Sequence, residues 1–127
     1  MRYFIAYHNE QKTGVPCTSL AYPRVRTKKA VVGLEGSIVW LIAGVGKKSP
    51  KHYFIASRFV ILKCETDKYI GEKQPNEASG TGRLMGLTIP IDGTALLDSL
   101  RLKSANFVSG FCEIQEPSTI AALKALT

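Results

Sequence analysis

The side chains best suited to covalent or metal chemistry are few in this chain and stand apart. There are two histidines, His8 and His52, and three cysteines, Cys17, Cys64 and Cys112, with successive cysteines 47 and 48 positions apart. A structural zinc site takes about four Cys or His ligands, usually in closely spaced pairs, and neither such a pair nor an H-E-x-x-H run occurs. No metal or cofactor is therefore expected. Cys64 and Cys112 lie in apolar, strand-like contexts and read as small core residues. Cys17 lies in a loop and is the candidate reactive thiol, with no base beside it in sequence. The acids are dispersed, and Glu65 and Asp67 read as solvated loop residues, so a paired-carboxylate hydrolase is not suggested. Gly44-x-Gly46-Lys47-Lys48 lacks the spacing of a phosphate loop, and Gly80-Thr81-Gly82 is equally unspecific. An enzyme would need residues gathered from distant parts of the chain.

The basic side chains are more informative. Seventeen Lys and Arg against ten Asp and Glu give a net charge of +7. Residues 21–63 hold nine of the basic residues and one acid, Glu35, so that the rest of the chain is close to neutral. Localised positive charge is the footprint of a polyanion partner, because each neutralised phosphate releases counterions. An ordinary soluble basic surface is the alternative. The candidate nucleic-acid contacts are Arg24, Arg26, Lys28, Lys47, Lys48, Lys51, His52 and Arg58. Tyr22-Pro23-Arg24-x-Arg26 is a stiffened loop whose guanidiniums suit phosphates or base edges. Lys47, Lys48, Lys51 and His52 cluster at a turn, where phosphate contact competes with simple solvation.

Candidates for a base pocket are Tyr7, His8, Tyr22, Trp40, Ser57 and Asn106. Tyr7 and His8 end an apolar strand at the start of a long loop. Trp40, the single tryptophan, reads as core or as a pocket wall. Ser57 and Arg58 interrupt an apolar strand and face opposite sides. Asn106 beside Phe107 can bond a base edge or close a turn.

The elements that must position these residues follow from local pattern. Residues 2–8 read as a buried strand. Residues 9–23, with Asn9, Gly14, Pro16 and Pro23, read as a long loop. Thr27 is suited to cap a helical turn through Leu34, ended by Gly36. Ser37–Ala43 and His52–Cys64 form a hairpin with a basic tip, Tyr53, Ile55, Ser57, Phe59 and Ile61 sharing one face of its second strand. Residues 65–82 read as a second long loop and Arg83–Ile91 as a short strand. Asp92 or Thr94 caps a helix over Ala95–Leu102. Ser104–Ile114 is a last strand with a bulge at Gly110, and Pro117 opens a terminal helix with Ile120, Leu123 and Leu126 on its apolar side.

Long crossover helices between consecutive strands are missing, which argues against a doubly wound parallel sheet. The expected class is α+β: a mostly antiparallel, bent sheet or partial β-barrel with two or three short helices. A length of 127 residues fits one domain, residues 1–127. Hydrophobic content of 45% and charged content of 21% are globular values. The longest apolar run, Ser37–Val45, is about half of the roughly 20 residues a membrane helix needs. The N-terminus lacks a signal-peptide pattern, and the odd, scattered cysteines fit a reducing cytoplasm.

Three segments together resemble PUA-like modules of the EVE and YTH kind. They are the opening strand Tyr3-Phe4-Ile5-Ala6, the Gly36–Gly44 strand with Trp40, and Tyr53–Ile61 after a lysine-rich loop. Ser37 stands where the EVE pattern carries an acid. The Gly36–Gly44 and Tyr53–Val60 segments, with Ser104-x-Asn106-Phe107-x-x-Gly110, are also similar to N-terminal modules of bacterial HNH-type restriction endonucleases, and no HNH segment is present. The resemblance implies a small bent barrel that binds DNA or RNA, DNA ahead of RNA, some members holding a modified base flipped into an aromatic pocket. It also implies a setting in restriction or defence, with a nuclease as partner or fused domain. The expected function is thus a nucleic-acid-binding reader module without catalysis of its own. The rival readings are a protein-interaction or accessory subunit, acting on an acidic protein or as a homo-oligomer, and a small enzyme.

Overall fold

The computed structural model describes residues 1–9, 23–46, 52–66, 76–85, 88–104 and 110–127. Six strands and two helices follow in the order β1 (Tyr3–Asn9), β2 (Arg24–Thr27), β3 (Ile38–Val45), β4 (His52–Thr66), β5 (Asn76–Leu84), α1 (Ala95–Lys103), β6 (Phe111–Ile114) and α2 (Pro117–Leu126). The strands form one sheet in the order β2-β5-β4-β3-β1-β6. β1 and β3 are parallel, and the other four pairings are antiparallel. The sheet is strongly curled into a half-barrel, the α+β class that the pattern of elements implies.

Apolar residues on both faces of β3 explain its place near the middle. Val39, Leu41 and Ala43 join the inner core with Phe4, Ala6, Phe59, Ile61 and Phe111, while Trp40 and Ile42 join a second core beneath the helices. The rings of Phe4 and Phe111 stack at 5.0 Å in the inner core. The segment after β2 crosses the open side of the curl and drives Val31 and Leu34 into it. Lys29 Nζ donates to the Phe111 carbonyl at 2.6 Å, tying this segment to the opposite edge strand.

The curl depends on small residues on the inner face of β5. A Cβ on Gly80 would overlap the Val60 carbonyl oxygen, and one on Gly82 would overlap that of Arg58. β5 therefore closes on β4 only where side chains are missing. Residues Gly80-Thr81-Gly82 serve this approach rather than a phosphate loop.

Thr94 is the N-cap of α1, accepting from the Leu97 N–H at 3.1 Å. Leu97 and Leu100 are buried against the sheet. α2 starts at Pro117, where the missing N–H costs nothing, and buries Leu123 completely. Two helices are present among the described residues, as the capping signals imply.

Four local expectations are corrected. Thr27 ends strand β2 instead of capping a helical turn: its Oγ1 accepts from Lys29 N–H at 3.0 Å in a tight turn, and Gly36 sits at φ +89° in a later one. The strand expected at Arg83–Ile91 is instead β5, Asn76–Leu84, with a lone bridge at Phe54–Pro90, so most of that strand lies in the stretch read as loop 65–82. The last strand is short, beginning at Phe111. Finally, the register of β4 against β3 shifts between Leu41 and Ile42, leaving Ala56 without a directly opposed partner. This bulge reverses the alternation. Tyr53 and Ile55 face the helices, whereas Ser57, Phe59 and Ile61 face the inner side. The stretches 10–22 and 67–75 of the two proposed long loops lie outside the described residues.

Candidate nucleic-acid interface

The helices cover the outer face of the sheet only over β1, β3, β6 and the start of β4, where the helix-side core lies. Beyond Trp40 the outer face of β4, β5 and β2 carries side chains of another kind. Cross-strand partners in an antiparallel sheet point to the same side, so the registers define rows. Arg58 pairs with Arg83, and Val60 with Thr81. Lys63 pairs with Ser79, which pairs on its other side with Arg24. Glu65 pairs with Glu77, which pairs with Arg26. Val25, Thr27, Ala78 and Phe59 alternate with these residues and are buried on the inner side, which confirms the parity.

The charge on this face is uneven. In the last two rows, Lys63 bonds Glu65 at 2.8 Å and Arg24 approaches Glu77 at 3.9 Å. The exposed Lys63–Glu65 pair is worth about 0–1 kcal/mol and exchanges readily for other anions, whereas the Glu77 carboxylate is largely buried beside Arg24. In the first row two guanidiniums are directly opposed. Among the described residues neither Arg58 nor Arg83 has a carboxylate partner. Arg83 is exposed and Arg58 is half-buried. The Arg58 guanidinium lies over the Trp40 ring at 5.7 Å. Trp40 is itself held fast: it is fully buried, and its indole N–H donates to Thr127 Oγ1 at 3.0 Å. Thr127 Oγ1 in turn donates to the Leu123 carbonyl at 2.7 Å. The arginine therefore projects from an anchored aromatic base, which lowers the entropy lost on gripping an anion.

The candidates named from sequence divide between several places. Arg24, Arg26 and Arg58 share this outer face. Lys28 is exposed in the turn just after β2, its carbonyl accepting from Asn76 Nδ2 at 3.3 Å. His52 is at the far end of β4, where its Nδ1 lies 3.5 Å from Asp92 Oδ2. Eleven residues of strand, roughly 36 Å at the usual rise, separate it from Lys63. Among the described residues the basic band is thus spread out along the length of β4. Lys47, Lys48 and Lys51 lie outside the described residues, as do Tyr22, Asn106 and Cys17. Arg83 and Lys63 on the same face were not among the candidates named from sequence. Lys63 continues the strand that carries Arg58, with a register shift after Ile61, while only strand pairing brings Arg83 beside Arg58.

The pocket candidates are not brought together. Trp40 is in the helix-side core and Ser57 is buried on the opposite face, where its Oγ donates to the Arg83 carbonyl at 2.6 Å. Tyr7 faces the helices beside Tyr53, ring centres 6.3 Å apart, and the Arg101 guanidinium covers Tyr53 at 5.8 Å. Burial, with a smaller contribution from Tyr53, pushes the Tyr7 hydroxyl up from 10.0 to about 12. His8 pairs with Ala43, an inner-core residue, and so turns away from Tyr7. The shallow hollow lined by Ile5, Tyr7, Ser104, Gly110 and Cys112 encloses no space for a bound molecule. Burial raises the Cys64 and Cys112 thiols, keeping them protonated. No three His, Cys, Asp or Glu among the described residues gather as metal ligands, and no described helix is long and apolar enough to cross a membrane.

Comparison of the chain with family models, with curated proteins and with solved structures finds no match.

Proposed function

We propose that this protein is a nucleic-acid-binding module whose phosphate contacts lie on the outer face of β4, β5 and β2. One observation supports the reading most: Arg58 and Arg83 are directly opposed on a sheet face that neither described helix covers, and among the described residues no carboxylate pairs with either. Two such cations repel by about 1 kcal/mol or less in water, and a bridging phosphate turns that repulsion into two charge-assisted contacts. Lys63, Arg24 and Arg26 extend the positive face, and Lys28 stands at its border. The resemblance to PUA-like modules points the same way. A setting in restriction or defence, a nuclease partner and recognition of an extruded modified base rest on that resemblance alone.

Fluorescence anisotropy with labelled DNA and RNA at low salt tests the reading. Binding that weakens steeply with salt is the expected result. No binding of any nucleic acid at low salt contradicts it. A stable dimer that buries Arg58 and Arg83 would favour the interaction-subunit reading instead.

A further inference from the structure

We infer that the ligand of this face is double-stranded DNA, its major groove straddled by the outer face of the paired strands β4 and β5. The inference rests on the nucleic-acid reading just given and adds the form of the ligand. The rows of the outer face carry it. Arg58 and Arg83 form one cationic row, and Lys63 and Arg24 belong to the row at Ser79. Four residues of β5 separate Arg83 from Ser79, about 13 Å at the usual rise of a strand. The B-form major groove is about 12 Å wide. Two cationic rows at that separation can each hold one of the two backbones that border a groove.

The row between them fits the same picture. It holds Val60, 38% exposed, and the exposed Thr81. An aliphatic side chain and a hydroxyl-methyl side chain are suited to base edges and thymine methyl groups. Lys63, paired with the exposed Glu65, can exchange that carboxylate for a phosphate.

Among the described residues the face lacks what a single-stranded ligand requires. Single strands are held by stacking on aromatic side chains, and no aromatic residue stands in any of the four rows. The described aromatics nearest these rows, Trp40 of β3 and Phe59 of β4, are buried. Double-stranded RNA is also disfavoured, because its major groove is too deep and narrow for side chains to read.

The test is anisotropy at low salt with a duplex DNA, the matching single strand and the matching duplex RNA, each with wild-type protein and with Arg83→Glu. Guanine N7 methylation of the duplex DNA, which blocks the major groove, is the second readout. Duplex DNA should bind at least about tenfold more tightly than either other probe, with the preference lost in Arg83→Glu and affinity reduced by N7 methylation. Equal or tighter binding of the single strand or of duplex RNA, or indifference to N7 methylation, overturns this inference while leaving the nucleic-acid reading intact. Binding of none of the three probes overturns both.

Discussion

Arg58 and Arg83 stand directly opposite each other across β4 and β5, on the outer face of the sheet, and neither has a carboxylate partner among the described residues. A like-charge cross-strand pair destabilises a sheet by a few tenths to about 1 kcal/mol. Arg83→Gln should therefore raise the melting temperature by a few degrees at low salt while weakening nucleic-acid binding. Sulfate should raise the wild-type melting temperature more than chloride at equal ionic strength, and the variant should lose that difference. Thermal melts in the two salts check both. A variant less stable than wild type at low salt would show that Arg83 serves the fold.

The hydroxyl of Thr127 links the Trp40 indole to the last turn of α2. Thr127→Val leaves a buried N–H without a partner and should cost about 1–3 kcal/mol, whereas Thr127→Ser should stay near wild type. Urea unfolding followed by the emission of the single tryptophan reads the difference. Equal stabilities for Val and Ser would show that the bond contributes nothing.

Gly80 is pressed against the Val60 carbonyl, so Gly80→Ala forces β5 away from β4. A loss of about 1–3 kcal/mol is expected, the usual cost of overpacking. The same substitution at Gly93, in open space but at φ +70°, should cost less, near the 1–2 kcal/mol of a left-handed residue. Denaturant midpoints for the two variants compare them directly, and a neutral Gly80→Ala would mean that the curl is looser than described.

Tyr7 should ionise late. Its hydroxyl is pushed up to about 12 by burial first and by Tyr53 second. A raised pKa favours the neutral form in the folded state. That contribution is complete below the unfolded value near 10 and is lost as pH rises through the folded value. Tyrosinate absorbance should show one late ionisation, and Tyr7→Phe should remove it and flatten the loss of stability above pH 10. An ordinary ionisation profile in wild type would contradict the packing of Tyr7.

Much of the fold was legible because its signals are local. The β3–β4 hairpin announced itself through continuous apolar residues, α1 through Thr94 and α2 through Pro117. β5 was not legible. Asn76–Leu84 carries Gly80 and Gly82 on its inner side, so the residues that let it pair closely are those that make it look like a loop. β2 is only four residues long, too short for alternation to stand out. The bulge at Ala56 is invisible to a strict period of two, and it moved Ser57, Phe59 and Ile61 to the face opposite Tyr53 and Ile55. Of the candidate site, Arg24, Arg26 and Arg58 were found by charge. Arg83 was not, because it lies far along the chain and only strand pairing sets it against Arg58.

The most direct test of the account is the salt dependence of duplex DNA binding by wild-type protein and by the double variant Arg58→Glu/Arg83→Glu. Thermal melts establish first that the variant is folded. Four or five phosphate contacts predict a slope of log K against log salt of about −4, and loss of two contacts predicts a slope shallower by about 2. A folded double variant with the wild-type slope and affinity would contradict the placement of the nucleic-acid interface on this face.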